Sequence, residues 1–118
     1  MVVFIDARKL TLSQQGRRSP RFPFIAVAEI TDIASGQQLE ARVAMLSRHG
    51  CFVEMQNTLP AESSVGIKIF AESEYFDGPA KIVYVRENVG MGLAFEEVSQ
   101  RNGKLVRDWL SRAIERGE

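Results

Sequence analysis

The chain has 118 residues, 45% of them hydrophobic and 25% charged, the composition of a soluble globular protein with one core. Fifteen basic residues balance fifteen acidic ones, which excludes indiscriminate attraction to nucleic acid, and no apolar run is long enough for insertion into a membrane. A lone cysteine excludes an internal disulfide framework and suits a reducing cytoplasm, and with a single histidine it is too small a set for a metal site.

The amino-terminal Met1-Val2-Val3-Phe4-Ile5 runs into Asp6 with no basic segment before it, which argues against a secretory signal. Residues 2–12 show no clear period and fit either a short strand or a helical turn. Ser13 to Gly16 reads as a loop, so residues 1–16 form an amino-terminal segment ahead of a domain spanning 17–118. Residues 1–21 carry Arg8, Lys9, Arg17, Arg18 and Arg21 against Asp6 alone, a net +4. Such a patch on a neutral chain fits a small anionic partner or a solvated tail. Pro20 and Pro23 keep the residues before them out of the α region, so the arginine segment should run extended.

Alternation then begins. Phe24, Ala26, Ala28 and Ile30 interleave with Ile25, Val27 and Glu29, which predicts a strand over 24–30. Thr31 to Gly36 reads as a hairpin connection, and 37–45 and 50–55 as the second and third strands. Val43 and Met45 on one, with Cys51, Val53 and Met55 on the other, show period-2 apolar spacing around the polar corner Ser47-Arg48-His49-Gly50. A fourth strand covers 65–70. The fifth, 75–86, should have an irregular start at Asp77-Gly78-Pro79. Glu87-Asn88 turns the chain into a sixth strand over 89–95. Six short strands at this spacing imply an antiparallel barrel or sandwich.

The last element changes period. Ser99 is suited to cap a helix, and Leu105, Val106, Trp109, Leu110, Ala113 and Ile114 form one apolar stripe that should pack on the sheet. Asp108 and Arg112 are spaced for an i,i+4 ion pair, and Arg116 suits the negative end of the helix dipole.

Chemistry concentrates in the basic stretch and the polar corner. Ser47 and His49 are two apart on a turn, a spacing that rarely aligns a nucleophile with its base, so the chain does not read as an enzyme. The glycines of Gly90-Met91-Gly92 are not followed by a helix, unlike those of a phosphate loop, and should instead permit close backbone approach. Cys51 is expected in the core. Arg17, Arg18 and Arg21 offer planar forks for phosphate or a guanine edge. Ser47 offers a hydroxyl, Gly50 can take positive φ, and Arg48 adds a further cation. Together they outline a site for a compact dianion bearing bases.

These residues carry a resemblance. The chain resembles a PilZ domain, the bacterial receptor module for cyclic di-GMP. An Arg-x-x-x-Arg motif ahead of the first strand is matched by Arg17 and Arg21. An Asp/Asn-x-Ser-x-x-Gly motif is matched at Ser47 and Gly50 but not at Met45, where the family has the acid or amide. Val89 to Phe95 and the terminal helix fit as well, so the likeness spans 17–116. It implies a six-stranded antiparallel β-barrel with a carboxy-terminal helix, a cytoplasmic location and no cofactor beyond the ligand. It also implies that the motif arginines hold phosphate and guanine. A thioether at position 45 is a very weak acceptor, so affinity should be weakened. Two functions follow as expectations. One is a cyclic di-GMP receptor whose amino-terminal segment orders on the ligand and signals to an effector protein. The other is a degenerate adaptor that binds no nucleotide and acts through protein contacts.

Overall fold

The first strand shows why the chain closes into a barrel. In β1 (Phe22–Asp32), Phe24, Ala26, Ala28 and Ile30 are buried while Ile25, Val27 and Glu29 face outward, as period-2 alternation requires. The structure, a computed structural model, describes residues 20–115. The readings made for residues 2–12, for the loop 13–16 and for Arg116 lie outside them. After β1 come β2 (Gln38–Leu46), β3 (Gly50–Glu54), β4 (Ser64–Ala71), β5 (Glu74–Arg86), β6 (Gly90–Phe95) and α1 (Gln100–Glu115). Every neighbouring pair of strands is antiparallel, and the order β1-β2-β3-β6-β5-β4 closes because β4 returns to β1. The expected strands all occur, with ends displaced by a residue or two.

Closure removes exposed sheet edges and leaves one core. Val43, Leu46, Val53, Ile67, Ile69, Ile82 and Met91 are fully buried within it. Cys51 joins them, and burial pushes its thiol pKa from 9.0 up to about 12, so it is an inert core residue as expected. The stripe of α1 packs on the barrel through β1 and β5. Trp109 is buried, its ring 5.2 Å from that of Phe24, and its indole N–H donates to Glu74 Oε1 at 3.3 Å. Ser99 caps the helix by accepting from the Asn102 amide at 3.1 Å. No helix among the described residues is long and apolar enough to cross a membrane.

Three expectations need correction here. Ile114 is exposed: at 100° per residue it lies about 140° round the helix from Trp109, beyond the edge of the stripe. Arg112 does not pair with Asp108. Its guanidinium reaches Glu72 and Glu74 on the β4–β5 hairpin, while Asp108 accepts from Lys104 at 3.0 Å. The hydrogen bond to Glu74 leads the causes that hold Arg112 in its charged form. The start of β5 is regular, because Asp77, Gly78 and Pro79 pair in step with Lys68, Ile67 and Gly66. The irregularities lie elsewhere, and two of them shape the outer face of the barrel.

Candidate ligand-binding site

The first of those irregularities is in β2. Val43 pairs with Val53 and Met45 with Phe52, so β2 spends one more residue than β3 over this step, at Ala44. This bulge reverses the phase of the strand. Val43 points into the core and Leu46 does too, whereas Met45 is turned outward and half-buried. The common face that period-2 spacing assigned to Val43 and Met45 is therefore wrong. A second bulge, at Val83 in β5, lets Ile82 pair with Leu93 and Tyr84 with Gly92. It brings Tyr84 to the outside.

The two bulges align one row across four strands, from Met45 on β2 through Phe52 on β3 and Gly92 on β6 to Tyr84 on β5. Gly92 is the gap in that row. A Cβ there would stand 2.3 Å from the Tyr84 ring, so only glycine lets the ring lie flat over β6. Phe52 and Tyr84 stack above it with centroids 6.0 Å apart and planes at 22°. The Arg86 guanidinium lies over Phe52, 5.8 Å from its centroid. Phe52 is screened from water, yet it stands apart from the core cluster.

Arg21 completes the row. Its Nη1 donates to the Tyr84 hydroxyl at 3.1 Å. Phe22 pairs with Leu46 and Pro23 with Met45, so the backbone at Arg21 runs one step beyond that pairing, beside Ser47. Arg21, at the described end of the arginine stretch, thus meets the polar corner at one end of β1, β2 and β3. Arg17 and Arg18 lie outside the described residues.

The corner is held by its own atoms. Ser47 N–H donates to Gly50 O at 2.9 Å, its hydroxyl donates to the same oxygen at 3.2 Å, and Oγ accepts from His49 N–H at 3.3 Å. Phe95 N–H, on β6, donates to His49 O at 2.8 Å. Gly50 does not use positive φ; among the described glycines only Gly36 does. It is needed because a Cβ would fall 2.1 Å from Leu93 O, where β3 and β6 run close. The strand glycines do permit close approach: a Cβ at Gly90 would meet Val53 O at 2.0 Å. Arg48 and His49 are exposed on the outside of the corner.

Of the site residues expected from sequence, Arg21, Met45, Ser47 and Gly50 come together here, with Arg48 at the rim. Phe52, Tyr84, Arg86 and Gly92 were missed. A ring-sized gap at Gly92 between two aromatics was a usable signal, but the bulge at Val83 hides the face of Tyr84 from any period-2 reading. The arrangement, two stacked rings bordered by two guanidinium groups, suits a planar base joined to an anion.

The model of the PilZ domain family matches residues 15–112. The chain belongs to the PilZ domain family. Solved structures agree in fold. The PilZ domain with c-di-GMP of YcgR from Escherichia coli superposes with a TM-score of 0.67 at 16% identity, over 87% of this chain and 98% of that one. YcgR in complex with c-di-GMP, also from Escherichia coli, gives 0.72 at 18% identity, over 87% of this chain and 47% of that one. The Bacillus subtilis inhibitor of motility MotI/DgrA gives 0.69 at 15% identity, over 87% and 52%. The chain thus spans about half the length of these two larger proteins. No curated protein matches it in sequence. The closed six-stranded barrel with a terminal helix is the PilZ architecture of these neighbours, so this chain is a PilZ domain in both sequence and fold.

Proposed function

We propose that this PilZ domain is a bacterial, cytoplasmic receptor for cyclic di-GMP rather than an enzyme, and that it passes the signal to an effector protein. The observation that carries the reading is the outer row from Met45 to Tyr84, with Arg21 hydrogen-bonded to its far end. In this reading a guanine stacks on Tyr84 and Phe52, and Arg21 and Arg86 take phosphate or the guanine edge. Arg17 closes over the ligand from the segment that precedes the barrel, residues 17–118 forming the binding domain and 1–16 an appended segment. The Ser47–Gly50 corner borders the phosphates, with Arg48 and Arg18 as outlying cations.

Met45 is the weak point. The family acid or amide would accept from a guanine, whereas a thioether leaves that donor unmatched, at about 1–3 kcal/mol or roughly 5- to 150-fold in affinity. The outward, half-buried setting of Met45 also favours a second reading, in which the same face contacts a protein and binds no nucleotide.

Calorimetric titration with cyclic di-GMP tests the choice. Binding that weakens by about 1.5–3 kcal/mol in Arg17→Ala and in Arg21→Ala, and much less in Arg18→Ala, supports the receptor. Equal losses at all three arginines would mean diffuse attraction and a misplaced site. A parent protein that releases no heat would leave the adaptor.

A further inference from the structure

On the other side of the corner lies a groove that shares only Arg48 with the nucleotide reading. Arg48 and His49, on the β2–β3 turn, form one wall, and Gly103, Lys104 and Arg107 of α1 form the other. Its volume is about 570 Å³, and no carboxylate lines it. The buried stripe around Trp109 fixes the rotation of α1 and so turns Lys104 and Arg107 away from the barrel. Gly103 has no side chain to fill the floor: a Cβ there would lie 3.6 Å from Arg107 Nη1 and 3.7 Å from Val98 Cγ1.

The charges are available. Arg48 and Arg107 make no ion pair with any carboxylate among the described residues, and Lys104 pairs only with Asp108 on its own helix. The helix end itself is not the attraction, because Ser99 already caps it. Four positive or protonatable groups from two separate elements, set around an open channel with an apolar wall at Val98, call for an elongated anion rather than a single phosphate. The chain's own amino-terminal stretch is excluded by charge, since residues 1–21 carry a net +4. A flat lipid surface fits poorly into a concave channel.

We infer that the groove between the β2–β3 turn and α1 docks an acidic, extended segment of a partner protein, carboxylates against Arg48 and Arg107 and an aliphatic side chain against Val98. The inference stands apart from nucleotide binding, because it is tested on the ligand-free protein.

The probe is a short fluorescein-labelled peptide of Glu and Asp with interspersed Leu, titrated by fluorescence anisotropy. Binding by the parent should weaken about ten-fold or more in Arg48→Glu and in Arg107→Glu, the loss expected for charged hydrogen bonds. It should also fall as salt is raised. Lys68→Glu, the same charge change on the exposed face of β4, should stay within about two-fold of the parent. Arg48→Gln and Arg107→Gln repeat the test should a reversed charge disturb folding. No binding by the parent, or an equal loss in Lys68→Glu, overturns the groove. So does stronger association with anionic phosphatidylglycerol vesicles than with the peptide that is lost in the same Arg variants.

Discussion

Met45 and Val43 lie two residues apart on β2, but the bulge at Ala44 sends one to the outer face and the other to the core. Substitution at Met45 therefore leaves the core intact and changes the chemistry of the outer row. Met45→Asn should bind cyclic di-GMP more tightly by about 1–2 kcal/mol, roughly 5- to 30-fold. Its cost in stability should stay below about 1 kcal/mol, since no cavity opens in the core. Titration and a melting curve on the same variant check both parts; a folded Met45→Asn that binds no better would shift the balance to the adaptor. Two glycines separate along the same line. At Gly50 a Cβ meets the backbone oxygen of Leu93, which cannot step aside, so Gly50→Ala should destabilise by at least about 1–3 kcal/mol in urea unfolding. At Gly92 the obstacle is the outward Tyr84 ring. Gly92→Ala should cost less stability than Gly50→Ala and weaken nucleotide binding instead, because the ring must leave Phe52. Equal destabilisation by the two would mean that the ring is as immovable as the strand. The corner residues Ser47 and Gly50 were legible from sequence because their spacing is local. The side on which Met45 and Tyr84 stand was not, because a bulge is selected by the packing of neighbouring strands.

Helix α1 was legible for the complementary reason: one apolar stripe at period 3.6 survives any error in its ends. The stripe concealed a polar residue. Asn102 lies about 20° round the helix from Trp109, at the centre of the buried face. Its Nδ2 donates to Asp77 O at 2.9 Å, and its Oδ1 accepts from Arg101 at 3.2 Å. The contact comes where β5 runs past the end of β6, since the pairing of those strands begins at Ala80 and Phe95. The side chain thus bonds a β5 carbonyl beyond the reach of the β5–β6 ladder, and it joins α1 to the barrel by more than apolar contact. Asn102→Ala should cost about 0.5–1.5 kcal/mol, the net worth of a part-buried hydrogen bond, read by urea unfolding followed at Trp109. A change below about 0.5 kcal/mol would show that Asp77 O finds water instead. Periodicity puts Asn102 on the stripe but cannot say what its side chain bonds, because the partner lies 25 residues away at Asp77.

For the molecule as a whole, closure ties the β3 wall to both of its neighbours: Cys51 is paired with Leu46 of β2 and with Leu93 of β6. Its thiol keeps its proton in the fold up to about pH 12, whereas the unfolded chain loses it near pH 9.0. The folded state therefore holds more protons between these values, and the contribution of Cys51 is complete below pH 9.0 and lost as pH rises towards 12. Comparing the parent with Cys51→Ala by urea unfolding from pH 8 upward should show the parent losing up to about 1.4 kcal/mol more per pH unit in that window. Parallel curves would mean that water reaches the sulfur. The same burial makes the only sulfhydryl of the protein a clock for barrel opening. An alkylating reagent can reach it only when β3 parts from β2 or β6, so the labelling rate counts those events in unmodified protein. A ligand held across that wall should slow the clock by the factor its affinity dictates.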